Sequence, residues 1–206
     1  MSHEPGPRHT EGRDRDESDA GWRVDRTLLW RRTDRPGLEH FRLLSGAEGP
    51  RLAGTVLLLL DDVPLRVEYT VDCTPDWRTR LVRATSWRGD DAGRRVELKA
   101  DGAGRWWRDG REARELAGCL DVDLSVTPST NTLPIRRLAL APGVERDVTA
   151  AWIRFPALAV EPLAQRYARA SERVYTYESR GGAFSARLQV DELGLVVRYP
   201  PAWERA

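Results

Sequence analysis

The stretch Val174-Tyr175-Thr176-Tyr177-Glu178-Ser179, followed by Arg180-Gly181-Gly182-Ala183 and then Phe184-Ser185-Ala186-Arg187-Leu188-Gln189-Val190, decides the class of fold. Tyr175 and Tyr177 alternate with Val174, Thr176 and Glu178. Phe184, Ala186, Leu188 and Val190 alternate with Ser185, Arg187 and Gln189. Side chains of an extended chain point to opposite faces in turn, so a period of two reads as strands with one covered face. Gly181-Gly182 between them supplies the positive φ angles of a tight reversal. The same rhythm runs toward the N-terminus. Trp77, Thr79, Leu81, Arg83 and Thr85 form one face of a run, and Arg78, Arg80, Val82, Ala84 and Ser86 the other. Ser45-Gly46, Glu48-Gly49-Pro50, Asp61-Asp62, Gly89–Gly93, Asp101–Gly104, Asp109-Gly110 and Asp191–Gly194 mark further reversals.

Strands recurring every 8–12 residues predict a mainly β chain, and about ten or more strands cannot lie flat. The expected fold is a single large, strongly curved antiparallel sheet, a half-open barrel or β-roll, with one or two short helices. Asn131–Leu140 is the best helix: Thr130 or Asn131 can cap it and Pro134 suits its first turn. Leu163–Ala170 is ambiguous between helix and strand. Residues 1–20 lack Leu, Ile, Val and aromatic side chains and read as a disordered charged tail. Residues 21–206 are read as a single β domain, since no linker interrupts the rhythm.

The chain has 206 residues, 40% of them hydrophobic, with 33 basic against 32 acidic side chains. A net charge of +1 removes the electrostatic case for nucleic acid or for a polybasic membrane anchor. The longest aliphatic run, Val56–Leu60, is far short of the ~20 residues of a membrane span. No secretory h-region is present, so the cytoplasm is expected. Cys73 and Cys119 form no CxxC pair and have no histidine cluster beside them, which argues against zinc and for free thiols, although one disulfide is open. Lys99 is the only lysine. The arginine excess reads either as anion recognition or as the bias of a GC-rich genome.

The chemistry-bearing stretch is GCLDVDLSVTPSTNTLPIRRL, residues 118–138. On a strand, Cys119, Asp121, Asp123 and Ser125 share a face opposite Leu120, Val122, Leu124 and Val126. Two carboxylates at i and i+2 lie ~7 Å apart, a spacing that suits paired-carboxylate chemistry or the anchoring of neighbouring arginines. The turn-rich segment after them can return Arg136 and Arg137 toward Asp121 and Asp123. His40 stands on the face of Leu38, Arg42 and Leu44 and is a candidate proton carrier or a structural histidine. No GxSxG, P-loop or GxGxxG occurs in the folded region, and no cofactor or metal is expected.

The 118–138 run strongly resembles the bacterial family of glycolipid-binding proteins once grouped only as a domain of unknown function. Leu29-Trp30-Arg31-Arg32, Pro36-Gly37-Leu38-Glu39-His40, Trp77-Arg78, Gln165-Arg166-Tyr167 and Leu195-Val196-Val197-Arg198-Tyr199-Pro200 extend the resemblance over nearly all of residues 22–203. Ser129 stands where that family carries a bulky residue. The resemblance implies a fold like the periplasmic lipoprotein-localisation factors, a bent antiparallel sheet partly wrapped around an apolar hollow. It implies no catalytic residues.

Together these readings point to a non-enzymatic binding protein for a glycolipid or other amphipathic acyl ligand. The tail would occupy the hollow of the sheet, with Trp30, Phe41, Trp107 and Tyr177 as its wall. The polar head would meet Asp121, Asp123, Asn131 and Arg136. Two rivals stand beside this reading: a hydrolase of a sugar or lipid ester using Asp121 and Asp123 or His40, and a structural or partner-binding β-protein with a filled interior.

Overall fold

A computed structural model describes residues 21–206; the expected N-terminal tail lies outside the described residues. Fifteen strands form one open sheet. In chain order they are β1 (Arg23–Arg32), β2 (Gly37–Gly46), β3 (Gly49–Leu60), β4 (Val63–Cys73), β5 (Thr79–Arg88), β6 (Arg94–Ala100), β7 (Trp106–Arg108), β8 (Arg111–Glu112), β9 (Asp121–Leu124), β10 (Glu145–Arg154), β11 (Ala159–Ser171), β12 (Val174–Ser179), β13 (Phe184–Val190), β14 (Val196–Tyr199) and β15 (Trp203–Arg205). Among the described residues there is one α-helix, α1 (Thr132–Leu138), which follows a 3-10 turn at Ser129–Asn131; two further 3-10 turns lie at Arg114–Leu116 and Arg180–Gly182.

The spatial order is β8-β7-β6-β5-β4-β3-β2-β1-β15-β14-β13-β12-β11-β10-β9. Two hairpin meanders are thus joined where the first strand meets the last, Trp30 opposite Arg205 and Arg32 opposite Trp203. The turns follow from local chemistry. The β3–β4 loop is Asp61-Asp62 alone, with φ of 52° and 59°, the left-handed pair that a two-residue hairpin needs and that aspartate tolerates. Leu163–Ala170 lies within β11, so the strand alternative holds there; Leu163, Gln165 and Tyr167 all point inward.

The sheet is mixed. β9 runs parallel to β10, Asp121 opposite Ala150 and Asp123 opposite Trp152, because the chain between them crosses over through α1. β9 is also shorter than the expected run: Cys119 and Ser125 lie outside it. Trp77 precedes β5 and takes a left-handed φ of 66°, so the expected face begins two residues later, at Thr79.

Bending of the sheet is required by its contacts. Ser129 reaches Tyr69 on β4, and Asn131 reaches Tyr167 on β11. Those strands are eight places apart in the order, ~38 Å along a flat sheet. Two residues of chain span at most ~7 Å, so the two wings must fold toward each other. The interior of the bend is filled by Leu124 of β9 and by Leu133 and Ile135 of the crossover, packed with Trp30, Phe41 and Leu188. The indole N–H groups of the enclosed Trp30 and Trp106 donate to the carbonyls of Val196 and Cys119 at 2.7 and 2.8 Å, so neither ring buries an unmet donor. Cys73 and Cys119 are both buried and unpaired. Among the described residues, no helix is long and apolar enough to cross a membrane.

Candidate functional site

The crossover from β9 to α1 sets polar side chains against both wings of the sheet. Alternation along β2 puts Glu39 on the inward face with Phe41 and Leu43, and Glu39 has no accessible surface. Its Oε1 accepts from the Tyr69 hydroxyl at 2.5 Å and from Thr127 Oγ1 at 2.8 Å, while Oε2 has no partner. Burial pushes this carboxyl up to about 8 against those two hydrogen bonds, so it is largely protonated at neutral pH. Tyr69 lies across Gly54, its cross-strand partner, where a Cβ would stand 2.5 Å from the ring.

On the other wing, Asp123 accepts from Gln165 Nε2 at 2.5 Å, and the same amide donates to the Tyr177 hydroxyl at 3.1 Å. Burial raises the Asp123 carboxyl to about 6, opposed by the hydrogen bond from Gln165 and by the nearby Tyr177 hydroxyl. Burial likewise raises the Tyr177 and Tyr199 phenols, with the Asp123 charge adding to both. Asn131 donates to the Tyr167 hydroxyl at 2.8 Å.

A cavity of about 270 Å³ opens beside Asp123. Its polar wall is Asp123, Thr127, Asn131 and Ser179; its aromatic wall is Trp152, Tyr177, Phe184, Tyr199 and Trp203. Tyr177 packs edge-on to Phe184 and Tyr199, ring centres 6.0 and 6.2 Å away. Arg32 and Arg180 complete the rim, each laid over an indole at 5.0 Å: Arg32 on Trp203, Arg180 on Trp152. Arg32 is further held by both oxygens of Asp34.

Of the residues singled out from sequence, the cavity therefore gathers Asp123, Asn131 and Tyr177. Asp121 is elsewhere: Arg137 grips it with two hydrogen bonds of 3.0 and 2.5 Å, and neither oxygen faces the cavity wall. Burial still raises the Asp121 carboxyl, with Arg137 lowering it. Arg136 is exposed and lies over the Trp77 ring at 5.0 Å, meeting neither aspartate. Trp30 and Phe41 stack at 4.8 Å with no accessible surface. Trp107 is half-buried near the β8 edge beneath Arg105. His40 is exposed on the outer face, in a groove shared with Arg42, Glu68 and Arg83.

Sequence reasoning missed Glu39, Gln165, Thr127, Tyr199 and Trp203. Two of them carry a readable signal. Glu39 alternates with Phe41 and Leu43, and Gln165 sits between Leu163 and Tyr167 on an inward face, so each is a polar group that must find a partner in the interior. The arrival of Tyr199 and Trp203 depends on the pairing of the chain ends, which no local pattern carries.

An open sheet bent around its own crossover, with a carboxyl-bearing aromatic cavity beside that crossover, defines the class of this protein. Within that class the chain belongs to the family described as "Putative glycolipid-binding", whose model matches residues 27–205. A crystal structure of a DUF1089 family protein from Pseudomonas aeruginosa is similar to it with a TM-score of 0.76; the chains are 34% identical, over 82% of this chain and 92% of that one. No curated protein matches.

Proposed function

We propose that this protein is a non-enzymatic binding protein for a glycolipid or another amphipathic ligand, held by its polar head in the cavity around Asp123, Asn131 and Tyr177. The observation that carries this reading is the cavity itself: hydrogen-bonding groups on one wall, five aromatic rings on the other, in about 270 Å³. That volume falls just below the ~300–1,000 Å³ of drug-sized pockets, which suits a single head group rather than a head with its chain. The interior of the bend is packed with Trp30, Phe41 and Leu133, so the acyl part lies outside that interior. Membership of the family supports a binding role.

A hydrolase built on paired carboxylates would need both to converge on one substrate. Asp121 is instead committed to Arg137, which favours binding over turnover at this site. The free thiols of Cys73 and Cys119 support a reducing, cytoplasmic setting. Native mass spectrometry of protein purified from its own host tests the reading. An adduct of lipid mass, lost on solvent extraction, is expected. Bare protein that also binds no member of a glycolipid panel overturns it.

A further inference from the structure

Among the described residues, the buried aspartates follow a rule that Asp123, half-buried in the cavity wall, does not share. Asp72, Asp121 and Asp191 are each paired with an arginine: Arg51 at 2.5 Å, Arg137 at 2.5 Å and Arg205 at 2.7 Å. This is the usual condition for a desolvated carboxylate, since an unpaired buried charge is costly. Glu39 also lacks an arginine, but it is sealed in the core and held largely neutral. Asp123 has neither remedy. Its hydrogen bond comes from a neutral amide, Gln165, and no described arginine pairs with it. The two guanidiniums on the rim lie over indoles of the cavity, Arg32 over Trp203 and Arg180 over Trp152, with Arg32 also paired to Asp34, and neither forms an ion pair with Asp123.

A carboxylate offers about four acceptor positions, and Gln165 uses one. The remaining positions belong to a half-buried carboxylate in the wall of a cavity lined by Tyr177, Phe184 and Tyr199. Aromatic faces attract cations, and a carboxylate among them supplies the counter-charge. We propose that the cavity takes the protonated amine of a compact polar head group, with Asp123 as its counter-ion and the Tyr177, Phe184 and Tyr199 rings around it. This rests on the reading of the cavity as the head-group site and narrows it to amine-bearing heads. The shared chemistry is a primary ammonium, whether on an amino sugar or on an ethanolamine phospholipid.

Two matched pairs, titrated below their micelle-forming concentrations and followed by cavity resonances in ¹H–¹⁵N spectra, test it. The first is octyl 2-amino-2-deoxyglucoside against octyl glucoside. The second is dihexanoyl phosphatidylethanolamine against dihexanoyl phosphatidylglycerol. At pH 7.0 the amine-bearing member of at least one pair is expected to bind about ten-fold tighter, and the pair that discriminates identifies the source. Asp123→Asn should abolish the preference. The wild-type protein at pH 5.0 gives the same test without a substitution. Asp123 is then mostly protonated, so the preference should fall there too. Glu39 behind Thr127 stays largely neutral between these pH values, burial keeps Tyr177 and Tyr199 un-ionised, and the remaining charged groups at the cavity are Arg32 and Arg180. Equal binding within both pairs, or a preference that survives Asp123→Asn or pH 5.0, overturns the amine assignment while leaving the cavity as a head-group site. No shift of cavity resonances by any of the four ligands overturns both.

Discussion

Glu39 and Asp123 are carboxyls that burial pushes above their usual range with no arginine to compensate. For Glu39 the consequence is a pH-dependent stability. The unfolded chain loses this proton near pH 4.5, whereas the folded chain keeps it to about 8. Between those values the native state binds more protons, so stability falls as pH rises, and the advantage is fully present only below the unfolded value. Glu39→Gln keeps the shape and removes the titration. It is expected to flatten stability between pH 5 and pH 8 and to exceed the wild type at pH 8, measured by urea unfolding at each pH. Asp121 is the opposite case, a carboxylate that needs its partner. Asp121→Ala leaves the Arg137 guanidinium half-buried and unpaired, a loss of ~3–5 kcal/mol, and should lower the urea midpoint by more than about 1 M. An unchanged midpoint would show that the pair carries no fold stability.

At the scale of the element, two places store strain or tight fit. Ala139 ends α1 in the left-handed region at φ 44°, its N–H bonded to the Ile135 carbonyl at 3.2 Å. A Cβ is unfavourable there and glycine is the usual residue. Ala139→Gly should therefore stabilise the protein by ~0.5–1 kcal/mol, read as a higher melting temperature. Gly54 in β3 is the reverse. Tyr69 of β4 crosses the space a side chain would take, and that ring presents its hydroxyl to Glu39 and Ser129. Gly54→Ala should displace the ring, break the buried network and destabilise by ~1–3 kcal/mol. A melting temperature equal to the wild type would mean that the ring has another place to go.

For the whole molecule, the two thiols report on global unfolding. Cys73 and Cys119 are both nearly inaccessible, 1% exposed, and burial raises both, Cys119 to about 11. Thiolate is the reactive form, so a disulfide reagent at pH 7.5 should label neither cysteine in native protein and both in urea. Labelling of one thiol at a native rate would reveal local opening around the crossover. The same architecture ties the two wings together: Thr127 and Ser129 hydrogen-bond to β2 and β4 and Asn131 to β11, so the crossover is the clamp between them.

What the sequence determined by itself was everything set by neighbours a few residues apart. Alternation in Val174–Val190 and in the residues after Trp77 specified strands, Asp61-Asp62 and Asp109-Gly110 their reversals, and the Pro134 segment the one helix, trimmed to Thr132–Leu138. The 118–138 run carried the resemblance to the family, and two of its residues, Asp123 and Asn131, line the cavity together with Tyr177, which was expected in the wall around an acyl tail. Tertiary structure alone decided the pairing of β1 with β15, the parallel placement of β9, and the choice of Arg137 for Asp121 while Arg136 turned to Trp77. It also enclosed Trp30 and Phe41 and brought Tyr199 and Trp203 to the cavity. The physical reason is range. A period of two says which side of a strand a residue faces, but burial there depends on which distant segment closes over it. That in turn depends on strand edges left free once the local hairpins have formed.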